Sequence, residues 1–154
     1  MMLDLQNKRV LVIGGGKIAA RRARTFLKCG AEVVAISPDF CEEFPDQDQV
    51  TRICREFSPE DITDEFVLVT AATDNRSVNH LAGIAAKSRN IPVSVADCKS
   101  ECDYYFPSLI NSEANPNIAA SICSAGFDVS LTRKLSDKLR EVWDLWLREF
   151  VKAP

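Results

Sequence analysis

The apolar residues of this chain follow two different periods. Short runs rich in β-branched residues are apolar at nearly every position, which is typical of strands buried on both faces of a parallel sheet. The segments between them repeat their apolar residues every three or four positions, as the buried face of a helix does. The strand-like runs lie at 9–13, 32–36, 66–72 and 93–96, and the helix-like segments at 17–28 and 76–88.

This alternation predicts an α/β fold, a Rossmann-like doubly wound parallel sheet. The stretch 50–55 alternates between apolar and polar residues, so we expect that strand near an edge of the sheet. The stretch 58–61 resembles the start of a helix, because a serine precedes a proline and two acids. Ligands of such folds bind beyond the carboxyl ends of the strands. The residues at those ends are Gly14, Ser37, Ala72 and Asp97.

The last third of the chain departs from the alternation. Two apolar stretches, 104–110 and 118–123, flank a predicted turn at 111–117 and indicate a short β-arm. An apolar stripe at helical spacing follows, and we interpret it as a dimerisation helix. Its members are Leu131, Leu135, Leu139, Val142, Trp143 and Trp146. We therefore predict a homodimer whose chain comprises a Rossmann-like domain at 1–98, the arm at 99–126 and a helical segment at 127–154.

Composition limits the classes of function. The chain has 154 residues and a formal net charge of −3, with 46% hydrophobic and 27% charged residues. These values are ordinary for a globular protein and predict no general attraction to nucleic acid or to anionic membranes. No apolar stretch is long enough to span a membrane, and the first residues do not resemble a secretory signal. The 6 cysteines suggest reduced thiols rather than a disulfide framework, so we expect a cytoplasmic protein.

Candidate chemistry begins between the first strand and the first helix, where the chain reads Gly14-x-Gly16-x-x-Ala19. Inside a βαβ unit this spacing is typical of dinucleotide binding. Gly14 permits the tight turn, Gly16 lets the backbone approach a pyrophosphate, and Ala19 lets the helix pack close to the sheet. The helix N-terminus offers N–H groups and partial positive charge to the phosphates. The alternative is a tight turn in a flavodoxin-like domain that binds no nucleotide.

The predicted cofactor site extends along the same edge of the sheet. Its residues are Gly14, Gly15, Gly16, Lys17, Ile18, Ala19, Ser37, Pro38, Ala71, Ala72 and Thr73. A NAD site usually has an acidic residue at the end of the second strand, where it holds the adenosine ribose. Here Ser37 and Pro38 stand at that end, where the Ser37 side chain could bond a ribose hydroxyl, and Asp39 follows. Because the sequence places no arginine close by for a 2′-phosphate, it favours NAD over NADP.

Four segments together resemble the precorrin-2 dehydrogenase family, which also forms the dehydrogenase–ferrochelatase module of siroheme synthases. They read LDLQNKRVLVIGGGKIAARRARTFLKCGAEVVAISP, LVTAATDNRSVN, IPVSVAD and FPSLI. They occur in the family's order, and the resemblance covers about residues 3 to 140. It implies a Rossmann domain followed by a dimerising β-arm and a helical domain. It also implies NAD-dependent oxidation of precorrin-2 to sirohydrochlorin, in some members followed by insertion of Fe²⁺ to give siroheme.

The resemblance also implies site residues. Catalysis in the family is assigned to an aspartate that closes the strand after the Ile-Pro-Val element, and the matching residue here is Asp97. A carboxylate there suits dehydrogenation, because a proton must go to a base as a hydride goes to the nicotinamide. The alternative is that Asp97 only caps a loop. We expect the tetrapyrrole to contact Phe106, Ser124 and Asp128.

Some positions depart from the family pattern. Cys98 stands where members commonly carry a second acid. Asp128 and Val129 stand where a small residue and a proline are usual, and many members continue through a longer helical region beyond Pro154. These departures concern the tetrapyrrole pocket and leave iron insertion open.

Other functions stay open as well. A nucleotide-sensing regulatory module should close its second strand with an acid and has no need of the aromatic arm, and a tetrapyrrole-binding protein without turnover is a further alternative. His80 is the only histidine and lies in the middle of a predicted helix, so we interpret it as structural. Cys98-x-x-x-Cys102 fits no standard zinc or iron–sulfur spacing, and we predict no metal site. The arginines of the first helix either attract anionic groups or form a solvated face. These are Arg21, Arg22 and Arg24.

Overall fold

A computed structural model describes residues 3–112, 115 and 118–150. The chain divides into two compact units, Met1–Tyr104 and Tyr105–Pro154. The first contains a 5-stranded parallel sheet with helices, and the second a 2-stranded antiparallel sheet with one long helix. The predicted α/β class, with its β-arm and C-terminal helix, is confirmed. The division at residues 98 and 126 stays a prediction.

The sheet of the first unit has the strand order β3-β2-β1-β4-β5, and every neighbouring pair is parallel. The chain runs outward from β1 through β2 to β3 and then crosses to the other side for β4 and β5. A crevice therefore opens between the carboxyl ends of β1 and β4, the place where open α/β sheets bind ligands. The elements are β1 Arg9–Ile13, α1 Lys17–Lys28, β2 Glu32–Ser37, β3 Val50–Cys54, β4 Phe66–Ala71, α2 Arg76–Ser88 and β5 Val93–Val95.

The core of this unit forms around β1, whose last four residues are completely buried. Leu11 and Ile13 belong to an apolar cluster that also holds Ala82 and Ala86 of α2. The alternate side chains of a strand point to opposite faces, and the intervening residues of β1 are equally buried. Both faces of the central strand are therefore covered, which is why its sequence is apolar throughout.

Two details differ from the sequence-based expectations. The stretch 58–61 forms a single 3₁₀ turn, Pro59–Asp61, because Ile62 adopts an extended conformation and is buried in the core. The first arm strand begins at Ser108 rather than at Tyr104. Tyr104 instead lies in the first unit, where its hydroxyl donates to the carbonyl of Val69 (2.9 Å) and bonds the hydroxyl of Thr70 (2.7 Å). The expected edge position of the strand near residue 50 is confirmed, since β3 is an outer strand.

The second unit consists of β6 Ser108–Asn111, β7 Ala119–Ile122 and α3 Val129–Phe150. The two strands pair antiparallel, with Ser108 opposite Ile122. Residues 113, 114, 116 and 117 of the predicted turn lie outside the described residues. α3 is fixed to the hairpin partly by polar contacts, among them a bond of 2.6 Å from the Ser112 hydroxyl to Asp144. Within the part of the chain that the structure describes, no helix is long and apolar enough to cross a membrane.

Asp61 links the end of β3 to the 3₁₀ turn and should make stability depend on pH. Its carboxylate accepts from Arg55 Nη1 and from the Ser58 amide, both at 2.8 Å. The Arg55 hydrogen bond lowers the pKa of Asp61. A lowered pKa adds stability above the unfolded-state pKa, and that stability is lost as the pH falls through the folded-state value. Asp61→Asn should therefore cost about 1.5 kcal/mol at pH 7, and the cost should shrink below about pH 4.

Urea denaturation at pH 7, 4 and 3 measures this cost. Asp64→Asn is the matched control, because Asp64 lies on the exposed stretch that follows the turn. Equal stability of Asp61→Asn and the parent at pH 7 would contradict the prediction.

Candidate functional site

The turn after β1 brings three strand ends together through backbone contacts. The Gly14 amide donates to the carbonyl of Ile36 on β2 (2.9 Å), and the Ala72 amide donates to the carbonyl of Ile13 on β1 (2.8 Å). Gly14 has a φ of +118°, and a Cβ there would lie 2.5 Å from the Ala72 carbonyl oxygen. Only glycine fits this position, because both the conformation and the close approach exclude a side chain.

The next two glycines have different surroundings. A Cβ on Gly15 would lie 1.9 Å from the carbonyl oxygen of Asp39, and the Gly15 carbonyl accepts from the Cys41 amide at 2.8 Å. Gly15 is therefore required by the packing of the loop after β2. A Cβ on Gly16 would meet no protein atom within 4 Å. Since the protein itself does not require glycine at 16, the open space in front of this residue suits a phosphate group.

The start of α1 faces this open space. The first helical bond runs from the Ala20 amide to the Gly16 carbonyl (2.9 Å), so the preceding amides of the first turn have no acceptor within the helix. Together with the helix dipole they favour an anion. Gly16, as N-cap, has no side chain that would compete for these donors. The residues present thus fit the pyrophosphate of a dinucleotide.

A cleft of about 300 Å³ lies along the exposed side of α1. Lys17 pairs there with Glu43 at 3.1 Å, and this pairing raises the pKa of Lys17 and lowers that of Glu43. The lining residues are Lys17, Ile18, Arg21, Arg24 and Glu43. The cleft carries an excess of positive charge beside the predicted phosphate position.

The arginines of α1 do not form one uniform solvated face. Arg21 and Arg24 are exposed, whereas Arg22 is half-buried. Burial, assisted by the charge of Arg21, lowers the pKa of Arg22 to about 10. Burial also raises the pKa of Tyr104. Of these arginines, Arg21 and Arg24 belong to the cleft beside the glycine loop.

Ser37, the residue predicted to bond the ribose, lies at the end of β2. Ser37 is only 8% exposed, and its hydroxyl lies beside Gly15. Pro38 and Asp39 are exposed. The accessible polar side chain at this end is thus the carboxylate of Asp39, and the contact predicted for Ser37 stays a prediction.

Asp97 follows β5 at the same edge of the sheet. The neighbouring Ala96 amide donates to the Ala71 carbonyl (2.9 Å), so the end of β5 is fixed to the end of β4. The Asp97 side chain is 35% exposed. Its Oδ2 accepts a hydrogen bond of 2.9 Å from Asn79 Nδ2, and Arg76 Nη1 lies 3.6 Å from its Oδ1. Oδ2 thus accepts a hydrogen bond from Asn79, and Oδ1 lies beside the Arg76 guanidinium.

Asn79 was not singled out by the sequence analysis. It is completely buried on α2, and its Oδ1 accepts from the amide (2.9 Å) and hydroxyl (2.8 Å) of Thr73. Its Nδ2 donates to the Thr73 carbonyl at 3.0 Å as well as to Asp97. The sequence spacing could have identified it. Asn79 shares a helix face with the buried Ala82 and Ala86, and a polar residue is unexpected on a buried face.

A charged cluster borders Asp97 on its exposed side. Arg76 at the start of α2 donates to Glu101 Oε1, which lies 2.9 Å from His80 Nδ1. The Arg76 hydrogen bond lowers the pKa of Glu101. Sequence reasoning left His80 as a structural residue in mid-helix, and it did not connect Arg76 with Glu101. Their proximity depends on the short turn Lys99–Glu101 after β5.

The two cysteines near Asp97 have ordinary contacts. Cys98 Sγ lies 3.4 Å from the Ser100 hydroxyl, and Cys102 Sγ lies 3.2 Å from both the amide and the carbonyl of Val95. All cysteines of the chain are free. Among residues 3–112, 115 and 118–150, no three His, Cys, Asp or Glu side chains are grouped so that they could hold a metal ion.

The residues predicted to contact substrate lie in the second unit. Asp128 Oδ1 accepts from the Leu131 amide at 2.7 Å, and the Ser124 hydroxyl accepts from the Asp128 amide at 3.1 Å. Both side chains thus stabilise the beginning of α3, as capping residues do. Phe106 is half-buried. Their contact with a tetrapyrrole stays a prediction.

Known proteins resemble this chain over most of its length. A family model described as "Putative NAD(P)-binding" matches residues 1–108. The "Probable multifunctional siroheme biosynthesis protein HemA" of Ruminiclostridium josui is 34% identical over 145 residues, 92% of this chain and 28% of that protein. The "Siroheme synthase" of Pseudoalteromonas translucida is 38% identical over 138 residues, 88% of this chain and 28% of that protein. The chain therefore spans less than a third of these relatives' length.

A solved structure extends the comparison to the fold. That of "SirC, precorrin-2 dehydrogenase" superposes with a TM-score of 0.79 at 24% identity, covering 96% of this chain and 74% of that one. The likeness confirms the fold over both units. With the family match and the siroheme synthase relatives, it also confirms the resemblance drawn from the four sequence segments. A nicotinamide cofactor is the ligand class that these matches support.

Substitutions at two neighbouring glycines of the loop should have different effects, one on NAD binding and the other on stability. Gly16→Val should keep the parental melting temperature but lose NAD binding, because its branched side chain would fill the open space in front of the helix. Gly15→Ala should lower stability by about 2 kcal/mol or more, because its Cβ would collide with a backbone carbonyl. Thermal unfolding and calorimetric titration with NAD separate the two effects. Unchanged NAD affinity in Gly16→Val would contradict the assignment of the phosphate position.

Proposed function

This chain belongs to the "Putative NAD(P)-binding" family, and on that basis we propose that it binds NAD and oxidises precorrin-2 to sirohydrochlorin. The observation that carries the proposal is the position of Asp97. Its carboxylate lies at the carboxyl end of β5, beside the end of β4 and the crevice of the sheet. The siroheme synthase relatives and the four matching segments supply the substrate class.

The glycine loop and the start of α1 would hold the cofactor's pyrophosphate. Gly16 leaves the space open, the first-turn amides donate, and Ala72 and Thr73 would lie against the nicotinamide half. When bound, NAD supplies the acceptor for the hydride that leaves the substrate. A dinucleotide across the crevice would therefore have its reactive end near β4 and β5, the strands that carry the candidate base.

Asp97 is suited to take the proton. Oxidation of precorrin-2 removes a hydride and a proton, and a carboxylate within reach of the reacting carbon can accept the proton. Asn79 binds Oδ2, so Oδ1 is the oxygen that would take the proton. Arg76 Nη1, 3.6 Å from Oδ1, is the charged group beside that oxygen. The arrangement gives a base of fixed orientation that is still open to substrate.

NAD rather than NADP is the cofactor we propose. The exposed carboxylate near the end of β2 belongs to Asp39, and it would repel a 2′-phosphate. Glu43 offsets the charge of Lys17 in the cleft along α1, and Arg24 donates to the Glu43 carbonyl. The nearby cations are thus partly engaged by the protein. Insertion of Fe²⁺ stays a prediction of the family resemblance alone.

We further propose a homodimer in the cytoplasm. Several apolar residues of α3 are about half exposed, including Leu131 (50%), Leu135 (49%) and Trp146 (49%). An apolar surface of this kind is typical of a subunit interface. The free cysteines suit a reducing compartment.

The catalytic proposal is tested with purified protein, NAD and enzymatically produced precorrin-2. Sirohydrochlorin should appear in its absorption spectrum, more slowly with NADP at equal concentration. Asp97→Asn should keep NAD affinity but lower the rate at least about a hundredfold, since it removes the base. Cys98→Ala, its adjacent control, should change the rate much less. NAD binding without turnover by the parent protein would favour a sensor or a tetrapyrrole-binding protein instead.

The assembly proposal is tested by sedimentation at micromolar concentration. The parent chain should sediment at twice its mass of 17.1 kDa. Leu135→Glu should shift it toward the monomer, because it places a charge in the proposed apolar interface. Lys134→Glu on the neighbouring exposed position is the control and should stay dimeric. A parent chain that sediments as a monomer would refute the dimer.

A further inference from the structure

Asn79 is the buried polar side chain most closely connected with the proposed reaction edge. Its amide is 0% exposed and makes four hydrogen bonds of 2.8 to 3.0 Å, three to Thr73 and one to Asp97. A carboxamide has two donor hydrogens and two acceptor lone pairs. Every hydrogen-bonding position of this side chain is therefore used.

The partners also fix which way the amide points. The Thr73 amide can only donate and the Thr73 carbonyl can only accept, so Oδ1 must face the former and Nδ2 the latter. The second hydrogen of Nδ2 is then directed at Asp97 Oδ2. A flipped amide would place two acceptors against each other at Thr73 and again at Asp97. The orientation follows from the network itself.

Packing alone does not explain an asparagine here. The same face of α2 is filled by alanine at 82 and 86, and an apolar residue would serve a helix that only needs to cover the sheet. Burying an amide costs free energy unless all its hydrogen bonds are made. Here they are made to two segments, the loop after β4 and the residue after β5, which this one side chain connects.

We propose that Asn79 is a positioning residue that holds the Asp97 carboxylate and the Thr73 backbone in one fixed arrangement. The inference rests on the proposed function, in which Asp97 is the base and Thr73 lies against the nicotinamide. With Oδ2 held by Asn79, the rotation of the Asp97 side chain is limited and Oδ1 is presented to substrate. Arg76 and, through it, Glu101 are the charged groups on the opposite side of the carboxylate.

A double-mutant cycle separates this role from a merely structural one. Asn79→Ala should lower kcat about ten- to a hundredfold, the range expected when a reacting group is displaced, with the KM for precorrin-2 changed less than about threefold. In the Asp97→Asn background the same change should cost less than about threefold, because the group that it positions is already absent.

Two further variants accompany the cycle, one as a substitute for Asn79→Ala and one as a structural control. Asn79→Asp preserves the shape and the acceptor for Thr73 but removes the Nδ2 donor to Asp97 and to the Thr73 carbonyl, so it should show the same non-additivity if Asn79→Ala does not fold. Asn75→Ala is the structural control, because Asn75 caps the same helix through the amides of Ser77 and Val78. It should lower the melting temperature while leaving kcat per folded enzyme within about threefold.

The outcomes distinguish the two proposals. Losses that multiply in the double variant would overturn the positioning role and leave Asp97 as the base. Full activity of Asp97→Asn alone would overturn the catalytic assignment and this inference with it. If Asn79→Ala lowers kcat in the parent enzyme but not in the Asp97→Asn variant, both the catalytic role of Asp97 and the positioning role of Asn79 are supported.

Discussion

The structure depends on the close packing of backbone against backbone in the glycine turn at the end of β1. A Cβ on Gly14 would collide with the Ala72 carbonyl, and one on Gly15 with the Asp39 carbonyl. Because no side chain stands between them, the ends of β2 and β4 hydrogen-bond directly to the turn. The turn then has to enter α1 at once, and this brings the helix N-terminus to the crevice. The proposed phosphate position is a consequence of this packing.

The two halves of the candidate site rest on different physics. The proposed phosphate half consists of backbone amides and an open space at Gly16, so it requires small residues rather than particular functional groups. The proposed reacting half consists of side chains, with Asn79 between Asp97 and Thr73 and the Arg76–Glu101 pair beside them. Backbone donors tolerate variation among neighbouring side chains, whereas a buried hydrogen-bond network loses its geometry when one member is replaced.

The second unit shows why a predicted binding residue and a structural residue are hard to tell apart. Ser124 and Asp128 both stabilise the start of α3 through hydrogen bonds, and that role explains an aspartate at position 128 without reference to a ligand. A capping role and substrate contact do not exclude each other. What α3 adds beyond the cap is a partly exposed apolar stripe, the feature on which the proposed assembly rests.

The sequence by itself determined the alternation of strands and helices, the edge position of β3, the glycine turn and the position of Asp97 at a strand end. These follow from hydrophobic period and from the conformational freedom of glycine, which are local properties. Only the tertiary structure decided which polar residues meet. Asn79 and Asp97 lie 18 residues apart and Arg76 and Glu101 25 apart, and each pair forms because β5 lies beside β4 under α2. No local pattern encodes such contacts, since they arise when separate segments fold against the same sheet edge.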